Sequence, residues 1–322
     1  MRLGETSAME AEDWFATYHL PVQQWVESLS TILSTAWRPT FQLVRIPLNL
    51  ALTWLADFFM SLPPPLVLVV LFVAAWQLRS SKAAVWCVVM MTGVGLCGVW
   101  ADTMKTLALI FAAVVLCLVV GFPLGVIAAR SNTVEKALTP ILDTMQTLPA
   151  FVYLVPIVLL VGIGDLPGVL VTFVFAVPPI IRLTSLGLRN VPRPIIEAAE
   201  ALGSSPVQTL LKIQLPLAAP TILVGVNQTI MMALAMVTYA SMIGVGGLGQ
   251  LVLRGIGRLD LGLATVGGLG IVALAMVFSG IILPETKSGP VRVSRGATPL
   301  RLIALVVAAG RSSIRRQFRS LS

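Results

Sequence analysis

The residues of this chain whose types and spacing suit a task lie in Glu197–Pro216, EAAEALGSSPVQTLLKIQLP. Two strongly apolar segments flank this stretch, yet it is polar and punctuated. It holds no nucleophile beside a base and no metal-ligand set, and by spacing alone it suits either an amphipathic loop between spans or a folded element that docks on a partner. Pro192 and Pro194 ahead of Ile195 favour a helix start. Glu197 and Glu200 are expected in the first turns, where the helix dipole favours negative charge. Gly203–Ser204–Ser205 breaks that helix, and Pro206 opens the next. Leu210, Leu211, Ile213 and Leu215 form an apolar stripe that Pro216 is expected to end. The product is a compact helix–turn–helix, able to seat in a partner's groove and move as a rigid body.

Other chemistry-bearing residues point away from catalysis. His19 is the one histidine; it has no catalytic Ser or Cys partner and reads as an exposed helix residue. Cys87, Cys97 and Cys117 lie in apolar runs without a CxxC pair, which suits packing rather than a disulfide or metal framework. GVGGLGQ at 244–250 contains G-x-G-G-x-G, but a dinucleotide fingerprint must follow a strand inside a βαβ unit. Here it follows an apolar span, so it is expected to be a flexible external loop near a gate. No G-x-x-x-x-G-K-[ST] occurs, so ATP binding by this chain is not expected. The reading is a non-enzyme with no cofactor or metal of its own.

The elements around these residues are membrane spans. The chain has 322 residues, 57% hydrophobic and 11% charged, with mean hydropathy +0.93. Soluble domains carry about 25% charge, so this is an all-α, polytopic membrane protein. A span needs ~20 apolar residues. Charge-free stretches at 58–78, 83–101, 106–129, 144–164, 166–181, 217–243 and 261–284 give about seven spans. Residues 46–56 are read as an interfacial helix. Pro123, Pro149, Pro156 and Pro178–Pro179 fall inside these stretches and favour kinks or broken helices lining a pathway. The net charge of +8 reflects the positive-inside bias rather than nucleic-acid binding. The resulting division is an extracytoplasmic amphipathic region 1–57, a membrane domain 58–284 and a basic cytoplasmic tail 285–322. The start carries acidic residues and no cleavable signal peptide; the tail is expected to be disordered or loosely held by anionic lipid.

The spacing of Glu197–Ala198–Ala199, Gly203 and Ile213-x-Leu215–Pro216 resembles the EAA loop of permease subunits of ATP-driven bacterial importers, the binding-protein-dependent inner membrane components. TMKTLAL at 103–109, GFPLGVIAAR at 121–130, ILDTMQTLPAFVYLVPIVLLVGIGDLPGV at 141–169 and FAVPPIIRLTSLGLRNVP at 175–192 are similar to glycine betaine/proline betaine importer permeases. So are residues 227–268 and RPTFQLVRIPLNL at 38–50. From Ala275, AMVFSGIILPETKSGPV departs from the family pattern.

The resemblance implies the type I importer permease fold, with a cytoplasmic coupling loop at 192–216 made of Glu197, Ala198, Ala199, Gly203, Ile213, Leu215 and Pro216. It also implies a multi-pass protein of the bacterial inner membrane. Its partners would be a second permease copy, two cytoplasmic ATPases carrying ATP and Mg, and an extracytoplasmic binding protein. The implied cargo is a betaine taken up for osmoprotection; choline or carnitine, or an ion-coupled carrier, are the alternatives. Betaines carry a quaternary ammonium, which aromatic faces attract. Trp100, Phe151, Tyr153, Phe173, Phe175 and Tyr239 lie in or beside the spans and are the candidate substrate path.

Overall fold

The computed structural model describes residues 21–282, Arg79 excepted. His19 and the tail 285–322 therefore lie outside the described residues. All regular elements among the described residues are helical. In chain order they are α1 (Val22–Ser61), α2 (Pro64–Leu78), α3 (Ser81–Leu96), α4 (Trp100–Arg130), α5 (Asn132–Thr147) and α6 (Ala150–Val161). There follow α7 (Asp165–Arg189), α8 (Arg193–Ala201), α9 (Pro206–Thr209), α10 (Leu215–Ser241), α11 (Leu248–Arg258) and α12 (Leu261–Ile282). A π-turn, Leu210–Gln214, joins α9 to α10.

Four runs are long and apolar enough to cross a membrane: Trp100–Arg130, Asp165–Arg189, Pro206–Ser241 and Leu261–Ile281. Two bent pairs raise the number to six if each is one span: Arg45–Ser61 with Pro64–Gln77, at 96°, and Asn132–Thr147 with Ala150–Val161, at 99°. Helix α3 is apolar but only 16 residues long.

The stretches 58–78 and 144–164, expected as single spans, are thus each cut by a corner. Leu62 (φ −69°, ψ 123°) and Leu148 (φ −68°, ψ 135°) are extended, and each precedes a proline. The proline ring pushes the preceding residue out of the helical region. Pro123, Pro156 and Pro178–Pro179 instead lie inside unbroken helices, where packed neighbours make a lost backbone bond tolerable. Residues 46–56 are not a separate interfacial helix; they continue α1, which packs on α4, α6 and α7.

Helix α7 is the centre of the bundle, packed chiefly between α4 and α10. Membrane helices gain little from apolar burial against each other, so close backbone approach carries more of the packing. A Cβ on Gly125 of α4 would lie 2.8 Å from the Ile181 carbonyl of α7. One on Gly225 of α10 would lie 3.4 Å from the Pro179 carbonyl. Cys87 and Cys117 are buried packing residues, whereas Cys97 is exposed at the end of α3. Helix α12 closes the other flank against α11, α3 and α10.

Candidate functional site

The helix–turn–helix at 192–216 is present, and its turn has a specific geometry. Helix α8 ends at Leu202, where Gly203 takes φ +82°. The Gly203 N–H donates to the Glu200 carbonyl (2.9 Å) and the Ser204 N–H to the Ala199 carbonyl (3.0 Å). This is a Schellman ending, which places glycine in the left-handed conformation. Ser205 then caps α9: the Gln208 N–H donates to Ser205 Oγ (3.4 Å), and the Ser205 N–H donates to Gln208 Oε1 (3.1 Å). This reciprocal box satisfies two helix-end donors.

Two local expectations are corrected. Helix α8 begins at Arg193, so Glu197 lies beyond the first turn, which holds no acidic residue. Pro216 does not end the second helix, because Pro206–Ser241 runs on for 36 residues. The π-turn is the reason: the Leu215 N–H reaches back to the Leu210 carbonyl, and the looser turn leads the chain into Pro216. The second arm of the turn is therefore continuous with a span, a direct mechanical connection of ~54 Å at 1.5 Å per residue.

Of the seven residues singled out here, Glu197, Ala198 and Gly203 are exposed, Ala199 is buried, and Ile213, Leu215 and Pro216 are half-buried. Arg130, the last residue of α4, donates from Nη2 to the Pro206 carbonyl (3.4 Å), fastening the turn to the bundle. Ile195, Leu202, Val207 and Leu211 are exposed around it, an apolar set on an otherwise polar projection.

The same end of the bundle carries two ion pairs between α5 and α7. Arg182 Nη2 lies 2.6 Å from Asp143 Oδ1, and Arg189 Nη2 lies 2.9 Å from Glu135 Oε2. Arg189 also donates to Asn132 Oδ1 and to the Ala128 carbonyl, both at 2.7 Å. The span expected at 166–181 runs instead to Arg189, because carboxylates on α5 neutralise the arginines that seemed to bound it. A cavity of about 470 Å³ lies beside them, lined among others by Gln146, Arg182, Ser185 and Gln228. Gln146, Ser185 and Gln228 were not singled out from the sequence, and Arg182 only as the border of the stretch 166–181; the available signal was ionisable residues bordering apolar runs.

The six aromatic residues divide. Phe151 and Tyr239 meet edge-to-face, ring centroids 5.1 Å apart and planes at 88°. Tyr153 and Phe175 pack around the small buried cluster of Leu154, Val171 and Met236. The Tyr153 hydroxyl donates to the Met145 carbonyl (2.8 Å), which braces the α5–α6 corner. Trp100 and Phe173 pack into the main core instead, so the structure does not bring all six together.

At the opposite end, the glycine loop expected to be flexible is packed down. Val245, Gly246, Gly247, Leu248 and Gly249 are buried. The Leu248 N–H donates to Thr106 Oγ1 of α4 (2.8 Å), and the Gly246 N–H to Asp165 Oδ1 of α7 (3.4 Å). Lys105 Nζ lies 3.5 Å from Asp165 Oδ2 and closes the seam. Glycine serves close approach here, which holds the loop down rather than freeing it.

The chain as a whole has counterparts among known proteins. The model of the family described as binding-protein-dependent transport system inner membrane component matches residues 121–284. The chain belongs to this family. The match runs past Ala275, where the sequence had suggested a departure. A glycine betaine/proline betaine transport system permease protein, ProW of Escherichia coli strain K12, is 52% identical over 80% of this chain and 73% of its own length. The glycine betaine transport system permease protein OpuAB of Bacillus subtilis strain 168 is 43% identical over 68% of this chain and 78% of its own. Among solved structures, an inward-facing MetNI methionine transporter chain superimposes with a TM-score of 0.52 at 24% identity, covering 56% of this chain and 92% of that one. That likeness concerns the fold, which is the type I ABC importer permease fold. The chain is an inner-membrane permease subunit rather than an enzyme.

Proposed function

We propose that this permease carries glycine betaine or proline betaine inward. It would receive the cargo from an extracytoplasmic binding protein and draw its force from a separate ATPase through residues 192–216. The observation that carries the cargo is the 52% identity to a betaine permease over 80% of the chain. Support for the coupling role is geometric. The turn is closed by hydrogen bonds, its second arm is continuous with α10, and its apolar residues have no cover among the described residues. Two copies would form the path, each opposed by one ATPase that holds ATP and Mg. Phe151 and Tyr239, half-exposed and in contact, are the aromatic residues best placed to meet a quaternary ammonium.

Reconstitution tests this reading. Vesicles holding the permease, its ATPase and its binding protein are expected to accumulate labelled glycine betaine only with ATP. Proline betaine should compete better than choline or carnitine. Uptake driven by an ion gradient without the ATPase would overturn the mechanism, and preference for choline would overturn the cargo.

A further inference from the structure

The cavity between α5 and α7 holds an arginine whose hydrogen bonding is incomplete. Arg182 and Arg189 both face α5 carboxylates, but they differ. Arg189 bonds Glu135, Asn132 and the Ala128 carbonyl, which ties its guanidinium to the scaffold. Among the described residues Arg182 bonds Asp143 alone, through Nη2, while its Nε is buried and unpartnered. One turn further along α7, Ser185 is 5% exposed and lines the same cavity, and its Oγ is also unpartnered. Buried polar groups are normally bonded, and an orphan costs about 1–3 kcal/mol. Two orphans beside a cavity of about 470 Å³, a size typical of small-molecule sites, mark the place of an absent acceptor.

We propose that this cavity is a transit site for the zwitterionic cargo, entered by exchange of the Arg182–Asp143 pair. The inference rests on the betaine reading above. The cargo carboxylate takes the Arg182 guanidinium and the Ser185 hydroxyl; its quaternary ammonium takes the Asp143 carboxylate. Charge balances throughout, because one internal pair is replaced by two pairs with a neutral ligand. That matters where a donor is buried, as Arg182 Nε is, because an unsatisfied buried group is costly. A cation lacking a carboxylate would engage Asp143 and strand Arg182, so the site discriminates against choline. Arg182 precedes Arg189 by seven residues, which is ~10 Å of helix. The site therefore lies about two turns of α7 before the end that leads into the helix–turn–helix, on its bundle side.

Two measurements on the reconstituted transporter test the site. The double variant Asp143→Asn/Arg182→Gln keeps side chains able to hydrogen-bond across α5 and α7 but removes both charges. Betaine imported per ATP hydrolysed is expected to fall at least about tenfold, with ATP hydrolysis still stimulated by the loaded binding protein. An unchanged ratio would show that the pair only staples the helices, and would overturn the site. The second uses Ser185→Cys in a Cys97→Ser background, because Cys97 is the exposed native thiol. Alkylation of the new thiol should be slowed by glycine betaine and not by choline. Equal protection by both, or by neither, overturns the site, and this result decides alone if the double variant fails to assemble. Wild-type vesicles that import no glycine betaine would overturn the cargo reading itself, a result separate from either variant.

Discussion

Glycine terminates the structure at both ends of the bundle, and the two endings are opposite in kind. At Gly203 the backbone needs a positive φ, and an added Cβ would meet nothing within 4 Å. At Gly246, Gly247 and Gly249 an added Cβ would strike Lys105, Thr106 or the Val237 backbone. The first glycine shapes a projection and leaves its surroundings empty. The others let a loop sink onto α4 and α7. One end is therefore finished within the chain, by hydrogen bonds and close packing. The other presents Leu202, at 88% exposure, together with Val207 and Leu211, an apolar set that the described residues leave uncovered. The contrast separates a seal from a socket, and substitutions at the two ends should damage different properties.

The largest expected effect is at the seal. Gly247 adopts φ +100° and ψ −158°, a region open essentially to glycine alone, where another residue costs about 1–3 kcal/mol. Its Cβ would also meet Thr106 Oγ1 and lie 3.1 Å from the Asp102 carbonyl, and such overpacking costs about 1–3 kcal/mol more. Gly247→Val is expected to lower the yield and the Tm of the purified chain strongly, whatever partner is supplied. An unchanged Tm would show that the loop is not seated on α4, and the comparison would fail at this end.

An intermediate effect is expected at the socket. At Gly203 the strain of a positive φ, roughly 1–2 kcal/mol for an ordinary residue, is the whole cost, because no neighbour is struck. Gly203→Asp is expected to insert and fold with a small fall in Tm, yet to impair ATP-coupled uptake. Gly203→Asn, which tolerates the left-handed region better, should impair it less. Normal uptake with normal ATPase stimulation in the aspartate variant would remove the turn from the proposed coupling path.

These two ends were not equally legible in the sequence. The socket is written in local chemistry: Pro192 and Pro194 before a helix, Gly203 after it, Ser205 and Gln208 at the next start. Each residue acts on its own few neighbours, so spacing suffices. The seal depends on Thr106 and Asp165, which are far away in sequence, and glycines alone suggested mobility where the fold uses them for contact. The same limit hid the Asp143–Arg182 pair. A span drawn as a charge-free stretch ends at Asp143 and at Arg182 by definition, so both residues read as borders. The corners at Leu148 and Leu62 were half-visible. Proline marks a weak point in a helix, but only packing decides whether Pro149 breaks the chain while Pro156 and Pro178 do not. Long, uninterrupted α4, α10 and α12 were the most legible elements, because apolar length alone identifies them.

The smallest effect on the chain is expected at Leu202, and there the comparison is sharpest. Leu202 is exposed just before the Schellman glycine, and its backbone N–H bonds the Ala198 carbonyl whatever side chain it carries. Leu202→Gln keeps a residue that tolerates a helix end and removes only apolar surface. Exposed substitutions of this kind usually stay within about 0.5 kcal/mol, so the Tm of the isolated permease should not move measurably. If an ATPase covers this side chain, the lost burial is worth about 1.5–3 kcal/mol, a drop in affinity of roughly tenfold to a hundredfold. Binding of the purified ATPase to wild-type and Leu202→Gln permease in nanodiscs measures this directly. Equal affinities would mean that the exposed apolar set is not the contact, and the socket would have to be sought on the Glu197–Ala198 face of α8 instead. A lowered Tm without loss of affinity would show that Leu202 is covered within the permease pair, which would make this end finished by a second copy rather than by the motor.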